Sequence, residues 1–363
     1  MKIIKTLFLL LIFLFTMSCL MESPIKLPFS GYTPKNIYDG WTISNPSDES
    51  INASSLEGIF MDLHENEIWQ IKSLLVFRNG KLVAESYMKD TDEIVKKTAI
   101  WSCSKQFTAI LAGIAIDQSL FALNDPISSY LPQAVSYGKG SITIKNLVTM
   151  KSGINFNNDG ANGETIQLLW ERPKNSLDFI FGLSMRSSPG VIFNYNDGDP
   201  HIVSAIIQAQ TGKTMKTWAE EVLFSKIGIT NLDWLTYKDG ITLGAFGILT
   251  TPREMAKIGQ LVMNDGKWNG VQIVSAAWVN DMTDNKVSSA ETNETNITFG
   301  YYWWGDSNRN ISFMRGHGGQ YIFINKIKKL MVVITSEPNT QGRFQLSLNQ
   351  GLSIYDRINN IVY

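Results

Sequence analysis

Strand-like and helix-like patterns of apolar residues occupy different parts of the 363-residue chain. The stretch "SLLVFRNGKLVAESY" has two strand-like runs on either side of Asn79-Gly80, which is the strongest short signal for a β-hairpin. Shortly after it, Phe107, Ile110, Leu111 and Ile114 recur at helical spacing. The first third of the chain therefore predicts a hairpin followed by a largely apolar helix.

Residues 121–244 carry mostly helical patterns broken by glycine and proline, with no β-rich segment, whereas strand-like runs return from Phe299. A final helix is predicted over "LSLNQGLSIYDRINNIV". Strands at both ends with helices between them predict an α+β protein with one sheet built from both ends of the chain and an inserted helical domain. The α/β part is expected at about 39–120 and 245–363, the helical part at about 121–244, and the site in the cleft between them.

The N-terminal residues 1–18 have the pattern of an export signal, because Lys2 and Lys5 precede the apolar run "LFLLLIFLFTM". This run is shorter than the roughly 20 residues of a membrane-spanning helix, so a permanent anchor is the weaker alternative. "FTMSC" resembles a loose form of the box at which bacterial lipoproteins are cleaved and lipidated, here at Cys19, although ordinary signal cleavage remains an alternative. Residues 19–38 contain three prolines and are expected to form a tether.

Composition excludes several classes of function. With 32 basic and 33 acidic residues and no long run of either sign, the chain lacks the basic footprint of a nucleic-acid-binding protein. The three histidines, His64, His201 and His317, have no carboxylate at ligand spacing, which argues against a zinc hydrolase. No G-x-S-x-G elbow is present, so an α/β-hydrolase would lack its nucleophile.

Candidate chemistry begins at "SCSK", where Ser102 and Lys105 form an S-x-x-K pattern at the start of the apolar helix. Residues three apart share one face of a helix, so Lys105 can reach the Ser102 hydroxyl. To act as a base, Lys105 must lose a proton, and its reference pKa of about 10.4 must fall by ~3 through burial or nearby positive charge. The simpler alternative is a serine cap followed by a solvated lysine.

Two later segments favour an active site over a cap. Tyr195 lies in a loop between Pro189-Gly190 and a helical pattern. His317, Gly318 and Gly319 interrupt strand-like sequence, as expected where a backbone approaches a ligand closely.

In chain order, these segments form three motifs, or boxes: Ser102 with Lys105, then Tyr195 to Asp197, then His317 to Gly319. They resemble the three boxes of the serine β-lactamase and penicillin-binding protein superfamily, in particular its class C-like branch. That branch includes β-lactamases, D-Ala-D-Ala carboxypeptidases, esterases and 6-aminohexanoate-oligomer hydrolases. "DGW", "GLSMRSSPG", "LTTPREMAKIGQLVMNDGKWNG" and "FGYYWWGD" also resemble the family, over roughly residues 39–363. The resemblance implies a β-lactamase/transpeptidase-like fold, with an antiparallel sheet flanked by helices and an all-helical insertion.

The resemblance also implies roles for single residues. Ser102 would be the acylated nucleophile, Lys105 its general base or proton relay, and Tyr195 the group that delivers a proton to the leaving group. His317 would occupy the third box with Gly318 and Gly319, and the N–H groups of Ser102 and Gln320 would form the oxyanion hole. The same resemblance places five further residues in the substrate-binding wall: Gln320, His317, Gly318, Gly319 and Asp197.

Asp197 departs from the β-lactamase pattern, which has asparagine at the third position of the second box. An ionised carboxylate cannot donate a hydrogen bond to a substrate amide, but it can attract a substrate amine. "YNDGDPH" looks closer to the esterase and 6-aminohexanoate-hydrolase relatives, so a true β-lactamase is not the first choice.

The sequence therefore predicts an exported serine hydrolase, lipid-anchored at Cys19 on the periplasmic or cell-surface side of a bacterial membrane. We expect a small-molecule or peptide substrate and no cofactor or metal. One alternative is a non-catalytic peptide binder or a β-lactam sensor. The other is a true class C-type β-lactamase or D-Ala-D-Ala carboxypeptidase.

Overall fold

A seven-stranded antiparallel sheet forms the centre of the computed structural model, which describes residues 28–65, 71–158, 175–338 and 345–363. The strand order is β2-β1-β12-β11-β10-β9-β8. The strands of this sheet are β1 Ile71–Arg78, β2 Lys81–Tyr87, β8 Ile297–Phe299, β9 Trp304–Asp306, β10 Ile311–Gly316, β11 Gln320–Asn325 and β12 Leu330–Ser336. Because β1 pairs with β12, both ends of the chain contribute to one sheet, as the strand pattern predicts.

Two small antiparallel sheets complete the β-structure of the described residues, one ordered β3-β5-β4 and the other formed by β6 and β7. Their strands are β3 Thr98–Ala99, β4 Leu232–Trp234, β5 Ile248–Thr250, β6 Lys267–Trp268 and β7 Val271–Gln272. β4 lies inside the predicted helical part, where the sequence shows no β-rich segment. Its three residues are too few to give a recognisable alternation.

Helices flank the sheet and fill the insertion. The helices are α1 Ala53–Glu65, α2 Ser104–Asp117, α3 Ile144–Val148, α4 Ser176–Gly182, α5 Gly198–Thr211, α6 Met215–Ala219, α7 Ser225–Ile227, α8 Pro252–Met263, α9 Ala276–Thr283, α10 Ser289–Thr292 and α11 Leu348–Asn359. A π-helical segment, Glu220–Phe224, joins α6 to α7. These elements, with the antiparallel sheet, give the expected α+β, β-lactamase/transpeptidase-like fold.

The helix α2 is the structural base of the predicted active site. Residues 104–115 of this helix are all buried, and it contacts both α5 and α9. A helix that is buried on all sides needs neighbours around its whole circumference. The predicted helix is therefore present, and its surroundings hold its N-terminal end in a fixed position.

Two aromatic residues within the predicted tether pack against helix α1. The ring of Phe29 lies 5.7 Å from that of His64, and the ring of Tyr32 lies 5.5 Å from that of Phe60 in α1. In the described part of the predicted tether over 19–38, these two aromatic side chains therefore pack on α1. The predicted signal of residues 1–18 and Cys19 lie outside the described residues.

The aromatic stretch 299–304 also differs from its strand-like pattern. β8 ends at Phe299 and β9 begins at Trp304, while Tyr302 adopts a left-handed backbone conformation with φ 60°. The chain turns here because the Tyr302 N–H donates to the carbonyl of Val148, outside the sheet. Within the described residues, no helix is both long enough and apolar enough to span a membrane.

Candidate active site

Ser102 lies in a 3₁₀ turn, Trp101–Cys103, that leads directly into α2. The preceding Trp101 has φ 51°, an unusual conformation for a bulky residue. Such strain costs on the order of 1–3 kcal/mol and persists only where the surroundings enforce it. The Ser104 hydroxyl contributes by donating to the Trp101 carbonyl at 2.7 Å and accepting from the Ile248 N–H at 3.3 Å.

Lys105 reaches back to Ser102 across one turn, as the three-residue spacing predicts. Its Nζ donates to Ser102 Oγ at 3.0 Å, to the Asp197 carboxylate at 2.6 Å and to the Ala245 carbonyl at 3.1 Å. The Lys105 side chain is fully buried. All three ammonium hydrogens can therefore be satisfied, and Ser102 receives one of them.

The charge of Lys105 differs from the sequence-based expectation. Burial alone lowers the pKa of Lys105, but the neighbouring Asp197 carboxylate, with a smaller contribution from Tyr195, outweighs burial and raises it above its ordinary value. The expected lowering is therefore wrong, because the charge that faces the ammonium group is negative. Lys105 is cationic in the resting site.

Asp197 stands immediately before α5 and is only 4% exposed. Its backbone N–H donates to Asn158 Oδ1 at 3.0 Å, while its carboxylate pairs with Lys105. The carboxylate is thus directed toward the lysine, not toward a substrate amine as the sequence suggests. Removing one partner of such a buried ion pair strongly destabilises the folded protein, because the other charge is left buried without a partner.

Tyr195 lies beside the same ammonium group. The Nζ of Lys105 is 4.8 Å from the centroid of the Tyr195 ring, a cation–π distance. The other sides of the ring face Trp304, at 5.4 Å between centroids, and Phe299, at 6.2 Å. The structure therefore brings Ser102, Lys105, Tyr195 and Asp197 together.

The turn between β10 and β11 forms the neighbouring wall, and the 3₁₀ turn of Ser102 contacts both strands. The buried Cys103 thiol donates to the Gln320 carbonyl at 3.4 Å, which links the turn to the first residue of β11. The Gln320 side chain donates to the Ser336 carbonyl at 2.5 Å. Gln320 is thereby fixed beside the Ser102 turn, from both its backbone and its side chain.

Gly318 and Gly319 occupy this turn for a reason that the sequence does not reveal. Their φ angles are +77° and +91°, and an added Cβ would lie 2.6 Å from Pro338 Cβ or 2.5 Å from Leu346 Cβ. The close neighbours of the two glycines are therefore the protein's own side chains. A substrate need not approach them to explain their small size.

His317 is exposed at the same turn. Its ring packs edge-on against Trp101, with 5.2 Å between centroids, and its Nε2 lies 3.1 Å from the Gln345 amide nitrogen. Partial desolvation lowers the pKa of the His317 imidazole, so its neutral form is favoured near neutral pH. Trp101 and Gln345 therefore belong to this wall of the site, although no sequence motif identifies them.

Sequence reasoning also misses Asn158 and the Ala245 carbonyl. Asn158 orients the backbone of Asp197, and Ala245 accepts the third hydrogen bond of Lys105. No local pattern could identify a backbone acceptor or an asparagine that acts from a separate loop.

The described residues contain no group of three or more histidine, cysteine, aspartate and glutamate side chains arranged to hold a metal ion. His201, fully buried in α5, bonds instead through Nε2 to the Ser176 hydroxyl at 2.8 Å. Burial lowers the pKa of His201 to about 4.

Comparison with known proteins identifies the family of this chain. The "Beta-lactamase" family model matches residues 72–350. The chain therefore belongs to the β-lactamase family and is a serine hydrolase of that family.

Individual relatives are distant. The 6-aminohexanoate-dimer hydrolase of Paenarthrobacter ureafaciens is 20% identical over 332 residues, covering 85% of this chain and 84% of the relative. A Bacillus anthracis protein described as a candidate 6-aminohexanoate-dimer hydrolase has a TM-score of 0.70 and 21% identity, covering 95% of this chain and 92% of that structure. A class C β-lactamase has a TM-score of 0.67 and 16% identity, covering 85% and 96%. At these identities the solved structures establish the shared fold.

Proposed function

We propose that the protein cleaves an amide or ester bond through an acyl-enzyme on Ser102, with Lys105 and Tyr195 moving the protons. The observation that carries this proposal is the 3.0 Å contact between Lys105 Nζ and Ser102 Oγ, made by a lysine that is itself fixed by Asp197. An oriented hydroxyl beside a buried, charged relay is the arrangement that nucleophilic catalysis needs.

Proton transfer follows from the cationic state of Lys105. As Ser102 Oγ attacks the substrate carbonyl carbon, its proton passes to Lys105 while Lys105 releases a proton to Asp197, whose carboxylate is 2.6 Å from Nζ. Tyr195 then donates its hydroxyl proton to the leaving group and regains one from Lys105. Asp197 returns its proton to the lysine, so the acyl-enzyme retains the starting protonation of the relay.

The negative charge on the tetrahedral intermediate is assigned to the N–H groups of Ser102 and Gln320. Support comes from the Cys103–Gln320 contact, which holds the two backbone segments next to each other. Losing one donor of an oxyanion hole typically costs on the order of 100-fold or more in rate. In deacylation, water attacks the ester of Ser102 and the same relay removes its proton.

The surroundings of the site favour an uncharged substrate. The near side chains are largely aromatic, Trp101, Tyr195 and Trp304, and the Arg315 guanidinium above Trp304 is paired with Glu294 at 2.8 Å. Asp197 is engaged by Lys105 and does not offer a free carboxylate for a substrate amine. We therefore assign small uncharged esters and linear amides as the substrate class. The name of the Paenarthrobacter ureafaciens relative also denotes a linear amide, but one with charged ends.

A β-lactam sensor is the second candidate, and the Lys105–Asp197 ion pair is the observation in its favour. A lysine held cationic can permit acylation yet activate the deacylating water poorly. Incubation with p-nitrophenyl esters, linear amides and a fluorescent penicillin separates the two functions, with Ser102→Ala as control. Multiple turnover of an ester or amide supports the hydrolase, whereas a persistent penicillin adduct without turnover supports the sensor.

We further propose that the chain is exported and anchored by a lipid on Cys19. The support is the sequence alone, from Lys2 to the cysteine that follows the apolar run. Cell fractionation tests it: the wild-type protein should enter the membrane fraction, and Cys19→Ala should be released. Retention of Cys19→Ala in the membrane would refute lipidation at this residue.

A further inference from the structure

A cavity lies at the opposite end of the sheet from Ser102. It has a volume of about 470 Å³, within the range of ligand sites in proteins. The six-residue strand β11 runs from Gln320, beside Ser102, to Asn325, next to the turn that carries two of the cavity's lysines. At about 3.3 Å per residue, β11 separates the two ends by roughly 17 Å. The cavity is therefore not part of the active site.

Two tryptophans form adjoining walls of this cavity. The rings of Trp41 and Trp268 are 6.2 Å apart and nearly perpendicular, at 77°. Trp41 is fixed because its Nε1 donates to the Arg253 carbonyl at 3.1 Å and its ring packs on Phe77 at 4.4 Å. Trp268 is half-buried on β6. An ordered indole pair at a surface cavity offers flat apolar faces to a ligand.

Amide side chains surround the indoles. Gln260 is only 7% exposed and donates through Nε2 to Asn264 Oδ1 at 3.0 Å. Within the described part of the chain, this is the one side-chain hydrogen bond of Gln260 and Asn264, so Gln260 Oε1 and Asn264 Nδ2 are available to a ligand. The Asn269 side chain, also on the lining, makes no hydrogen bond with the described residues.

Two hairpin turns shape the entrance. Asn79-Gly80 and Asn269-Gly270 both have positive φ at both positions, as type I′ turns require. Such tight turns keep backbone and side-chain bulk away from the indole faces. The predicted Asn79-Gly80 hairpin thus also helps to form a wall of the cavity.

The charges on the lining favour a neutral ligand. Lys326 is paired with Asp265 at 2.7 Å, so these two charges offset each other. Lys329 is exposed at the rim. One exposed ammonium group provides little binding energy for an anion in water.

We propose that this cavity binds a neutral oligosaccharide of two or three pyranose units. The C–H faces of the sugar rings pack on Trp268 and Trp41, and the hydroxyl groups pair with the amides of Gln260, Asn264 and Asn269. A site of this kind positions the enzyme on a glycan surface without using its catalytic residues.

Titration calorimetry of the full chain with cellotriose and with triacetylchitotriose tests the proposal, and glucose 1-phosphate serves as the anionic comparator. At least one neutral trisaccharide should bind saturably with millimolar affinity. Trp268→Ala should weaken that binding about tenfold, a loss of about 1.4 kcal/mol, and Trp268→Phe should retain most of it. Lys329→Gln should leave it unchanged.

Labelling of Ser102 by a fluorophosphonate should proceed equally in all these variants and shows that each is folded. Asn264→Ala is the second binding variant if Trp268→Ala does not fold. The proposal is overturned if neither trisaccharide binds, if Trp268→Ala and Asn264→Ala bind as wild type does, or if only glucose 1-phosphate binds and Lys329→Gln abolishes it.

Discussion

The buried ammonium group of Lys105 lies 2.6 Å from the carboxylate of Asp197. This ion pair determines the charge of the residue that contacts Ser102, because Asp197 opposes the effect of burial on the pKa of Lys105. A carboxylate at position 197 therefore gives the site a shared proton relay in place of a neutral lysine base.

Asp197→Asn should lower both activity and stability. Without the carboxylate, burial lowers the pKa of Lys105, and the relay loses its acceptor. We expect ester turnover to fall about 100-fold or more and the free energy of unfolding to fall by on the order of 3 kcal/mol. Steady-state kinetics and urea unfolding measure these effects.

Glu221→Gln is the matched control, because it removes the carboxylate of a surface ion pair. Lys213 Nζ lies 2.6 Å from the Glu221 carboxylate, and the Glu221 side chain is 50% exposed. Its effect should stay within about 1 kcal/mol. If Asp197→Asn behaves like this control in both measurements, the assigned role of the buried pair is wrong.

Gly319→Ala should distort the turn that adjoins Ser102. The residue has φ +91°, and the new Cβ would lie 2.5 Å from Leu346 Cβ. Gly212→Ala separates the backbone cost from the packing cost, because Gly212 has φ +68° with open space around it. Gly212→Ala should cost about 1 kcal/mol of unfolding free energy with unchanged kcat, and Gly319→Ala should cost about 3 kcal/mol and lower kcat. Equal effects of the two substitutions would contradict the packing argument.

Asp199→Asn should change how stability depends on pH. Burial raises the pKa of Asp199 to about 7, against about 3.9 in an unfolded chain. Between about pH 4 and 7 the folded state then binds more protons than the unfolded state, so this group lowers stability as pH rises, by at most about 1.4 kcal/mol per pH unit. The variant should lose that slope and unfold at higher urea than wild type at pH 7; an unchanged slope would contradict the assignment.

Cys103→Ala tests which member of the "SCSK" cluster performs the chemistry. The Cys103 thiol is buried against β11, and burial raises its pKa well above the ordinary value, so it is not a thiolate nucleophile. Turnover should remain within a few-fold of wild type, with a stability loss of about 1 kcal/mol. Abolished turnover in folded Cys103→Ala would overturn the choice of Ser102.

Short-range sequence patterns predict the elements whose conformation is determined by residues close together in the chain. The Asn79-Gly80 hairpin follows from the turn geometry that this dipeptide prefers, and α2 follows from its apolar spacing. The aromatic run around Tyr302 shows the limit, because a hydrogen bond to Val148 outside the sheet turns a strand-like sequence away from strand pairing.

In the active site too, contacts between residues close in sequence follow from the sequence, whereas contacts between distant residues do not. The Ser102–Lys105 contact spans one helical turn and follows from sequence spacing. The charge of Lys105 does not, because Asp197 approaches from 92 residues away. Gly318 and Gly319 interrupt a strand-like sequence, but Pro338 and Leu346, which require them to be small, belong to a different part of the chain.

Intact-protein mass spectrometry after reaction with a fluorophosphonate, followed by peptide mapping, is the most direct test of the proposed acyl-enzyme chemistry. The proposed mechanism predicts one phosphonyl adduct on Ser102, none in Ser102→Ala, and an unchanged adduct in Cys103→Ala. Loss of ester turnover should accompany the adduct in equal proportion. An unmodified Ser102 in a protein that still hydrolyses esters, or full turnover by Ser102→Ala, would contradict it.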